Sequence, residues 1–532
     1  MGEKIVVADR LASNGLSLLR ATPGLDVVET VGKGPEVLKD ALLDAAAIIV
    51  RSETKVTGEL MAGAPKLKIV ARAGIGTDNI DLEEATRRGI PVLTAPGANS
   101  NSAAEHAVAL MLSLCRKIPA AAQSMAEGKW DRKQFEGTEL RGKTLGILGL
   151  GRIGTMVAKL AQGFGMTVIA LDPFVMPAHA QSLGVELLPL DDVLGRADLL
   201  TLHIALTGDT RHLLNAARFA LMKKGMMIVN TARGALIDDA ALVAALHSGQ
   251  VAAAALDVFE PEPLPADSPL RAAPNLVLTP HLGASTREAQ SRVALEIAES
   301  VRDALLKGDL RGAVNLPGLD GAAMAESRPL MDLAERLGRL AFTLAAGPPE
   351  AIEVIYRGSE DRGADTAGIA ALRGVLTALG LSRVTLINAG HLARQRGIRV
   401  TRKAEDPDAS YRSSVTVELA SGGKKVRVTG GLVGDRPRLL AVFDHLVDLD
   451  PSGTVLIVSN KNVPGVVGKV GTILGNSGVN IEGYHMSHPR PHPGDALAAI
   501  ALEVRCPGPV IDELRQVPEV TGVWQVDLGP QP

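Results

Sequence analysis

Three polar residues that follow apolar, strand-like segments have the chemistry needed to oxidise an alcohol. Arg233 lies in VNTARGALIDD, Glu262 in LDVFEPEP and His281 in TPHLGAST. Histidine titrates near neutral pH, so His281 can accept a hydroxyl proton while hydride leaves for a cofactor. Glu262 can bond the other ring nitrogen, and the planar guanidinium of Arg233 matches a carboxylate. Each residue alone could be a surface or packing residue, but together they predict hydride transfer from a hydroxy acid.

A glycine-rich segment upstream has the spacing of a dinucleotide-binding turn. Gly149, Gly151 and Gly154 occur in GLGRIG, directly after the strand-like TLGIL. The first glycine permits a tight turn, the second lets the backbone approach a pyrophosphate, and the third lets the helix pack on the strand. The next strand, TVIALD, ends in Asp172, whose carboxylate can accept hydrogen bonds from ribose hydroxyls and would repel a 2′-phosphate. The sequence therefore predicts NAD rather than NADP.

Short apolar runs that alternate with helical patterns predict the elements that position these residues. The strand-like runs lie at 5–8, 47–50, 68–71 and 90–95, and in a second series at 143–151, 167–172, 199–204, 227–232, 254–259 and 276–281. Such alternation is typical of parallel sheets, which bind ligands at the carboxyl ends of their strands. The sequence therefore predicts two doubly wound units, with Arg233, Glu262 and His281 converging at one edge.

Helical patterns connect and follow these strands. Long helices are predicted over 102–116 and 287–307, and a Gly- and Pro-rich linker over 313–321. In the helix after the glycine turn, one packing face is expected to hold Ile153, Val157, Leu160 and Phe164. A further α/β stretch runs to about Asp450, and the tail from Thr454 has the pattern β-α-β-β-α-β.

The composition narrows the classes of protein that are possible. The 532 residues carry 56 basic and 59 acidic side chains, a net charge of −3, so no polybasic surface for nucleic acid or membrane is expected. No apolar run is long enough to span a bilayer, and the first residues lack the layout of a signal peptide. The two cysteines, Cys115 and Cys506, form no ligand motif and favour a reducing cytoplasm.

Longer segments resemble a known family. GLGRIG, NTARGALIDD, LDVFEPEP and PHLGAST together resemble the D-isomer-specific 2-hydroxy-acid dehydrogenases. The segments RSETKVT (51–57), RAGIGTDNIDLEEATRRGIPV (72–92) and NSNSAAEH (99–106) narrow the resemblance to the D-3-phosphoglycerate dehydrogenase family, in its long form. The tail VLIVSNKNVPGVVGKVGTILGNSGVNIEGYHMS (455–487) resembles an ACT regulatory domain.

The resemblance implies an α/β chain with two doubly wound parallel-sheet, Rossmann-like domains, then an α+β intervening domain and a βαββαβ ACT domain. The expected domains are a discontinuous substrate-binding domain (1–98 plus 288–312), an NAD-binding domain (99–287), an intervening domain (313–452) and the ACT domain (453–532).

The resemblance also implies an activity: NAD-dependent oxidation of 3-phospho-D-glycerate to 3-phosphohydroxypyruvate, the first step of L-serine biosynthesis. Arg233 would hold the substrate carboxylate, with Glu262 and His281 as the acid/base pair. The other residues expected to bind substrate are Arg51, Arg72, Asn99 and Arg132, the last reaching from a neighbouring subunit. The residues expected to contact NAD are Thr77, Gly149, Gly151, Arg152, Ile153, Gly154, Asp172, Thr207, Thr231 and Asp257.

Regulation and assembly are expectations of the same kind. In serine-inhibited relatives, positions such as Asn462 and Asn480 bind the effector between two ACT domains, which implies a homodimer or homotetramer. Asn460, at a position where relatives vary, is a third candidate effector residue. The histidines of HMSHPRPH, namely His485, His488 and His492, are interpreted as part of an exposed hairpin loop, and no metal is expected.

Two alternatives remain open at this point. A related dehydrogenase could act on glycerate, hydroxypyruvate or another 2-hydroxy acid, but Arg51 and Arg72 follow strands directly, where a phosphate needs cations. A non-catalytic NAD-sensing protein could share the fold, although Arg233, Glu262 and His281 argue against it. Turnover with and without a phosphorylated substrate separates these alternatives.

Overall fold

A computed structural model describes residues 2–316, 327–345, 347–359, 363–407, 411, 413–487 and 494–530 of the chain. The chain folds into two compact units. Unit 1 comprises Met1–Arg10, Leu18–Thr94 and Ile297–Pro532, and unit 2 comprises Leu11–Ser17 and Ala95–Glu296. None of the described helices combines the length and the apolar character needed to cross a bilayer.

The first sheet lies in unit 1. Its strands are β1 (Glu3–Val7), β2 (Leu25–Glu29), β3 (Ala47–Val50), β4 (Ile69–Arg72) and β5 (Val92–Thr94). The nearby helices are α1 (Ser13–Ala21), α2 (Pro35–Leu42), α3 (Gly58–Ala62) and α4 (Leu82–Arg88). The five strands are parallel, in the order β2-β1-β3-β4-β5, which confirms a doubly wound sheet. The sequence missed β2, an edge strand whose residues are only partly buried.

The second sheet lies in unit 2 and is also parallel. Its strands are β6 (Thr144–Leu148), β7 (Thr167–Leu171), β8 (Glu186–Leu187), β9 (Leu199–Leu202), β10 (Met226–Asn230), β11 (Val251–Leu256) and β12 (Leu276–Leu278). They follow the order β12-β11-β10-β9-β6-β7-β8. Strands β7 and β8 are added on one side of β6, and β9 to β12 are added on the other side, so the order reverses between β6 and β9. This reversal is the place where doubly wound sheets bind ligands.

Helices precede and alternate with these strands along the chain. They are α5 (Ser100–Cys115), α6 (Ile118–Ala126), α7 (Arg152–Gly163), α8 (Pro177–Ser182), α9 (Leu190–Arg196), α10 (Ala216–Leu221) and α11 (Asp239–Ser248), and short 3₁₀ segments span Arg132–Phe135, Gly234–Leu236 and Pro269–Ala272. Helix α12 (Arg287–Lys307) has the predicted bounds.

The buried face of α7 differs from the prediction. Val157 is fully buried as expected, but Leu160 and Phe164 are 39% and 43% exposed. Small residues such as Gly154 and Ala158 face the sheet instead. A Cβ on Gly154 would collide with the carbonyl of the glycine turn, so the helix packs too closely for large side chains on that face.

A mixed six-stranded sheet follows in unit 1. The elements are α13 (Arg328–Ala345), β13 (Ala351–Gly358), α14 (Gly363–Ala378), α15 (Ala389–Gln395), β14 (Arg399–Glu405), β15 (Ser413–Ser421), β16 (Lys424–Val433), β17 (Arg436–Val442) and β18 (His445–Leu449). The order is β14-β13-β15-β16-β17-β18, in which β13 and β14 are parallel and the other pairs antiparallel. This confirms the expected α+β architecture.

The tail forms the predicted βαββαβ arrangement. Its elements are β19 (Thr454–Lys461), α16 (Val466–Asn476), β20 (Ile481–Ser487), β21 (Asp495–Leu502), α17 (Gly508–Gln516) and β22 (Val520–Asp527). The four strands form an antiparallel sheet in the order β20-β21-β19-β22.

Helix α13 and the tail sheet share one hydrophobic core. Its fully or largely buried members include Leu333, Leu337, Val455, Ile457 and Val526. The buried guanidinium of Arg336 donates from Nη1 to the carbonyl of Pro451 (2.8 Å) and from Nη2 to that of Pro530 (2.7 Å), which joins α13 to both ends of the tail. The limits of the four expected domains stay predictions.

Candidate active site

Glu262 and His281 form a hydrogen-bonded pair in unit 2. Nδ1 of His281 lies 2.8 Å from Oε2 of Glu262, and Oε1 of Glu262 accepts a bond from the backbone N–H of Phe259 at 3.0 Å. His281 follows β12 and has a φ of +54°, a left-handed conformation that non-glycine residues adopt mainly where the surrounding structure holds them. Because Nδ1 is bonded to Glu262, Nε2 is the ring nitrogen left for a substrate.

The pair shifts the proton affinities of both groups. The hydrogen bond from Glu262 raises the pKa of His281, although burial opposes this effect. Burial acts to raise the pKa of Glu262, but the bond with His281, the N–H of Phe259 and the nearby positive charges together outweigh it and lower that pKa. The positive charge of Arg233 acts on both, lowering each pKa. The geometry therefore stabilises an imidazolium once His281 has accepted a proton.

Arg233 lies on the loop after β10, next to the loop that carries Glu262. Asn230 fixes this loop: its Oδ1 accepts from Ala232 N at 3.0 Å and its Nδ2 donates to Arg233 O at 2.8 Å. A Cβ on Gly234 would overlap the backbone of Phe259, so the two loops need a glycine to approach. The structure thus brings Arg233, Glu262 and His281 together, as the sequence predicted.

A buried carboxylate holds the chain around His281. Asp257, at 0% exposure, accepts from Thr279 Oγ1 (2.6 Å), Leu282 N (2.7 Å) and Gly283 N (2.8 Å). His106 Nε2 lies 3.1 Å from the same carboxylate. Burial would raise the pKa of Asp257, but these bonds lower it. The family resemblance implied that Asp257 contacts the cofactor. Within the described structure, its carboxylate oxygens hold the loop on which His281 lies.

The sequence missed His106 and Thr279 as members of this cluster. His106 is on α5, far from β11 and β12 in the chain, and no local motif connects them. The available signal was a histidine within a helix most of whose residues are buried, because a polar side chain in such surroundings needs a partner.

The glycine turn has the geometry of a nucleotide site. Gly149 has a φ of +94°, and a Cβ there would lie 2.6 Å from the carbonyl oxygen of His203. Gly151 precedes the first turn of α7, and among the described residues no atom lies within 4 Å of a Cβ built on it. Open space therefore faces the free N–H groups of this helix, where a diphosphate binds.

Asp172 and Thr231 are two further residues expected to contact a dinucleotide. Asp172 follows β7, with Oδ2 accepting from Leu150 N (2.8 Å) and Oδ1 from Phe174 N (2.9 Å), so its carboxylate is fixed beside the turn. The hydroxyl oxygen of Thr231 is buried and has no hydrogen-bond partner within the described part of the chain. The residues present therefore fit NAD.

The other residues expected in unit 2 lie at the starts of helices or in loops. Arg152 and Ile153 form the first turn of α7, and Thr207 lies in the loop after β9. Asn99 precedes α5, and its Oδ1 is buried without a partner among the described residues. Arg132 is exposed at the start of a 3₁₀ segment.

In unit 1, two of the expected substrate residues lie at the carboxyl edge of the first sheet. Arg51 follows β3, and its backbone N–H donates to Asp9 Oδ2 at 2.6 Å. Asn79 Nδ2 donates to the carbonyl of Arg51 at 2.7 Å. Arg72 ends β4, with its guanidinium lying against the backbone of Gly74. Thr77, expected to contact NAD, lies in the loop that follows.

The three expected effector residues differ in exposure. Asn460 is 2% exposed near the end of β19, and its Nδ2 donates to the carbonyl of Lys461 at 2.8 Å. Asn462 and Asn480 are exposed. Of the histidine cluster, His488 and His492 lie outside the described residues, and no group of three metal-binding side chains occurs in the rest.

Comparisons with known proteins agree with this fold. Residues 108–283 match the model of the D-isomer specific 2-hydroxyacid dehydrogenase NAD binding domain, and residues 326–443 match that of the D-3-phosphoglycerate dehydrogenase intervening domain. The D-3-phosphoglycerate dehydrogenase of Mycobacterium tuberculosis is 42% identical over 531 residues, covering 99% of both chains. That of Methanocaldococcus jannaschii is 39% identical over 528 residues, covering 99% of this chain and all of the relative.

Solved structures align with a little more than half of this chain. The D-lactate dehydrogenase of Aquifex aeolicus, complexed with NAD and lactic acid, aligns with a TM-score of 0.51 at 30% identity, covering 57% of this chain and 96% of its own. The NAD-dependent formate dehydrogenase of Staphylococcus aureus, in complex with NAD, aligns with a TM-score of 0.52 at 32% identity, covering 57% and 96%.

Fold and site therefore define an NAD-dependent oxidoreductase of the D-isomer-specific 2-hydroxyacid dehydrogenase class. Both full-length relatives share the intervening segment and the tail as well as the catalytic part. The chain belongs to the D-3-phosphoglycerate dehydrogenase family.

Proposed function

We propose that this protein oxidises 3-phospho-D-glycerate to 3-phosphohydroxypyruvate with NAD, the first step towards L-serine. The observation that carries the proposal is the hydrogen bond of 2.8 Å between His281 and Glu262, next to Arg233, in a chain 42% identical to a D-3-phosphoglycerate dehydrogenase. The pair supplies a base for the hydroxyl proton, and Arg233 supplies a cation for the carboxylate next to the reacting carbon.

The reaction needs one proton acceptor and one hydride acceptor. When bound, NAD accepts the hydride from the carbon that bears the hydroxyl. Nε2 of neutral His281 takes the hydroxyl proton as the C–O bond becomes a carbonyl. Glu262 holds the ring through Nδ1 and stabilises the positive charge that forms, and Arg233 orients the carboxylate. In the reverse direction, the protonated His281 returns the proton to the carbonyl oxygen.

Further contacts are proposed for the phosphate and the cofactor. Arg51 and Arg72, each placed directly after a strand of the first sheet, would bind the substrate phosphate, with Asn99 and a neighbouring subunit's Arg132 as further contacts. Thr77, Thr207, Thr231 and Asp257 would line the NAD site with the glycine turn and Asp172. We also propose a cytoplasmic homodimer or homotetramer that binds L-serine at its ACT domains.

Steady-state kinetics with purified protein test the proposal. We expect kcat/KM for 3-phospho-D-glycerate to exceed that for D-glycerate and D-lactate, and NAD to be preferred over NADP because Asp172 repels a 2′-phosphate. Equal rates on D-glycerate would favour the related 2-hydroxy-acid dehydrogenase. Tight NAD binding without turnover of any of these acids would favour an NAD-sensing protein.

A further inference from the structure

A large cavity of unit 1 lies at the carboxyl edge of the first sheet. Its volume is about 840 Å³, and residues that follow β1, β2 and β3 line it together with α2 and α3. In the strand order β2-β1-β3, the chain adds β2 on one side of β1 and β3 on the other side, so the order of strands reverses between β1 and β3. Doubly wound sheets bind ligands at this reversal, which we call the switch point. In the second sheet, the switch point between β6 and β9 carries the glycine turn.

The walls of this switch-point cavity are mainly apolar. Leu38 and Leu42 from α2 and Leu60 from α3 enclose it, with Ala8 at the end of β1. Its exposed rim carries charges of both signs, from Lys39, Lys55, Asp40, Glu53 and Glu59. The wall also contains the buried carboxylate of Asp9, whose oxygens accept hydrogen bonds from Arg51 and Thr54 within the chain. A volume within a few hundred to a thousand cubic ångströms and an apolar wall are typical of small-molecule sites. The five charged side chains of the rim are exposed, so solvent screens them and they select only weakly between a cation and an anion.

One polar group in the wall has no protein partner. Thr30 is 5% exposed and lines the cavity, and its hydroxyl oxygen is buried without a hydrogen bond to any described residue. The backbone of Thr30 is fixed, since its N–H donates to Val7 O (3.0 Å) and its carbonyl accepts from Lys33 N (3.0 Å). Buried hydroxyls are normally bonded, but this oxygen is shielded from the cavity in its present rotamer and reaches a partner outside the chain only by turning. Rotation about χ1 exchanges its hydroxyl and methyl positions without moving the backbone.

We propose that the switch-point cavity binds a neutral small molecule with an apolar body and one hydroxyl or carbonyl group. The apolar body packs between Leu38, Leu42 and Leu60, and the polar group pairs with the Thr30 hydroxyl. The cavity shares no residue with the glycine turn or with the pair formed by Glu262 and His281, and the inference does not rest on the proposed activity.

The test uses two probes of similar size: phenol, which carries a hydroxyl group, and toluene, which carries a methyl group in its place. The full-length protein is held in saturating NADH so that the nucleotide site is filled. Titration is followed by ligand-observed NMR. We expect phenol to bind about three- to tenfold more tightly than toluene, the range of one net hydrogen bond. Thr30→Val keeps the shape of the side chain and should abolish the preference. Leu60→Phe should fill the cavity and weaken both probes at least about tenfold.

Thr167→Val is the matched control, because Thr167 is an exposed strand residue of unit 2 that lies outside the cavity. It should bind both probes like the wild type. Absence of saturable phenol binding to the wild type would overturn the proposal. So would an unchanged preference for phenol in a folded Thr30→Val variant, or unchanged binding of both probes in a folded Leu60→Phe variant.

Discussion

Arg211 and Glu260 form a two-pronged ion pair: Nη1 lies 3.1 Å from Oε1 and Nη2 lies 2.7 Å from Oε2. The pair joins the loop after β9 to the loop that carries Glu262. Both side chains are about half exposed, so the pair contributes little to stability. Its effect is on position, because it restrains the loop that places the carboxylate against His281.

Removing this restraint should slow the reaction without unfolding the protein. We expect Arg211→Ala to lower kcat by about tenfold, since small displacements of reacting groups carry large kinetic costs. The melting temperature should change little. Arg196→Ala is the matched control: Arg196 forms an equally exposed, two-pronged pair with Glu186 (2.9 and 2.7 Å) at the far edge of the same sheet. Equal losses of kcat in both variants would contradict the positioning role.

His281→Ala should remove the proton acceptor. We expect kcat to fall by about two to four orders of magnitude, the usual effect of losing a general acid/base. NADH affinity, measured by fluorescence titration, should stay close to that of the wild type. Near-normal turnover in the folded variant would exclude His281 as the base.

Glu262→Gln should shift the pH dependence of the oxidation. The bond with Glu262 raises the pKa of His281, and the neutral imidazole is the form that accepts a proton. Without the carboxylate charge, the pKa of His281 falls, so the acidic limb of kcat/KM should move to lower pH while the maximum rate decreases. Glu186→Gln, at the far sheet edge, should leave the profile unchanged. A shift to higher pH would contradict the assigned pair.

Asp257→Asn should cost both stability and rate. An amide presents N–H groups to some of the donors that now bond the carboxylate, among them Leu282 N and Gly283 N. Leaving such buried groups unpaired costs about 1–3 kcal/mol, measurable by urea denaturation. Asp198→Asn is the control, because Asp198 is partly exposed where it pairs with Lys223 and should cost less. An equally small effect at both positions would argue against a structural role for Asp257.

Arg51→Ala and Arg72→Ala should mainly weaken binding of the phosphorylated substrate. Loss of one charge-assisted phosphate contact should cost about 1.5–3 kcal/mol, roughly tenfold or more in KM. Activity on D-glycerate should change much less. Arg87→Ala, which removes an exposed helical arginine bonded to Glu84, serves as the control. Equal losses on both substrates would indicate that the arginines hold the loops rather than the phosphate.

Serine should bind the tail and lower activity. Asn462→Ala and Asn480→Ala remove exposed amides that can meet carboxylate or ammonium groups, and calorimetry should show weakened serine binding. Coupling between effector and catalysis is typically about 1–3 kcal/mol. Asn476→Ala, an exposed amide at the end of α16, is the control. Full activity in millimolar serine together with no heat of binding to the wild type would refute this prediction.

Local patterns predicted the catalytic part well, because a glycine turn and residues at strand ends are set by neighbouring sequence. Gly149, with its φ of +94°, and the pair of Glu262 with His281 lie as the sequence indicated. Contacts between distant segments were not predictable in this way: no pattern connects His106 to Asp257. Periodicity also failed for α7, where close approach to the sheet selects small residues over Leu160.

The core shared by α13 and the tail sheet determines how this protein can be recombined. A chimaera joined at residue 453 would pack the tail of another chain against Leu333 and Leu337, and would replace the segment whose carbonyl at Pro530 bonds Arg336. The tail is therefore not an interchangeable module in this chain. A chimaera that exchanges the tail between relatives must therefore transfer the whole segment from Arg328 onwards.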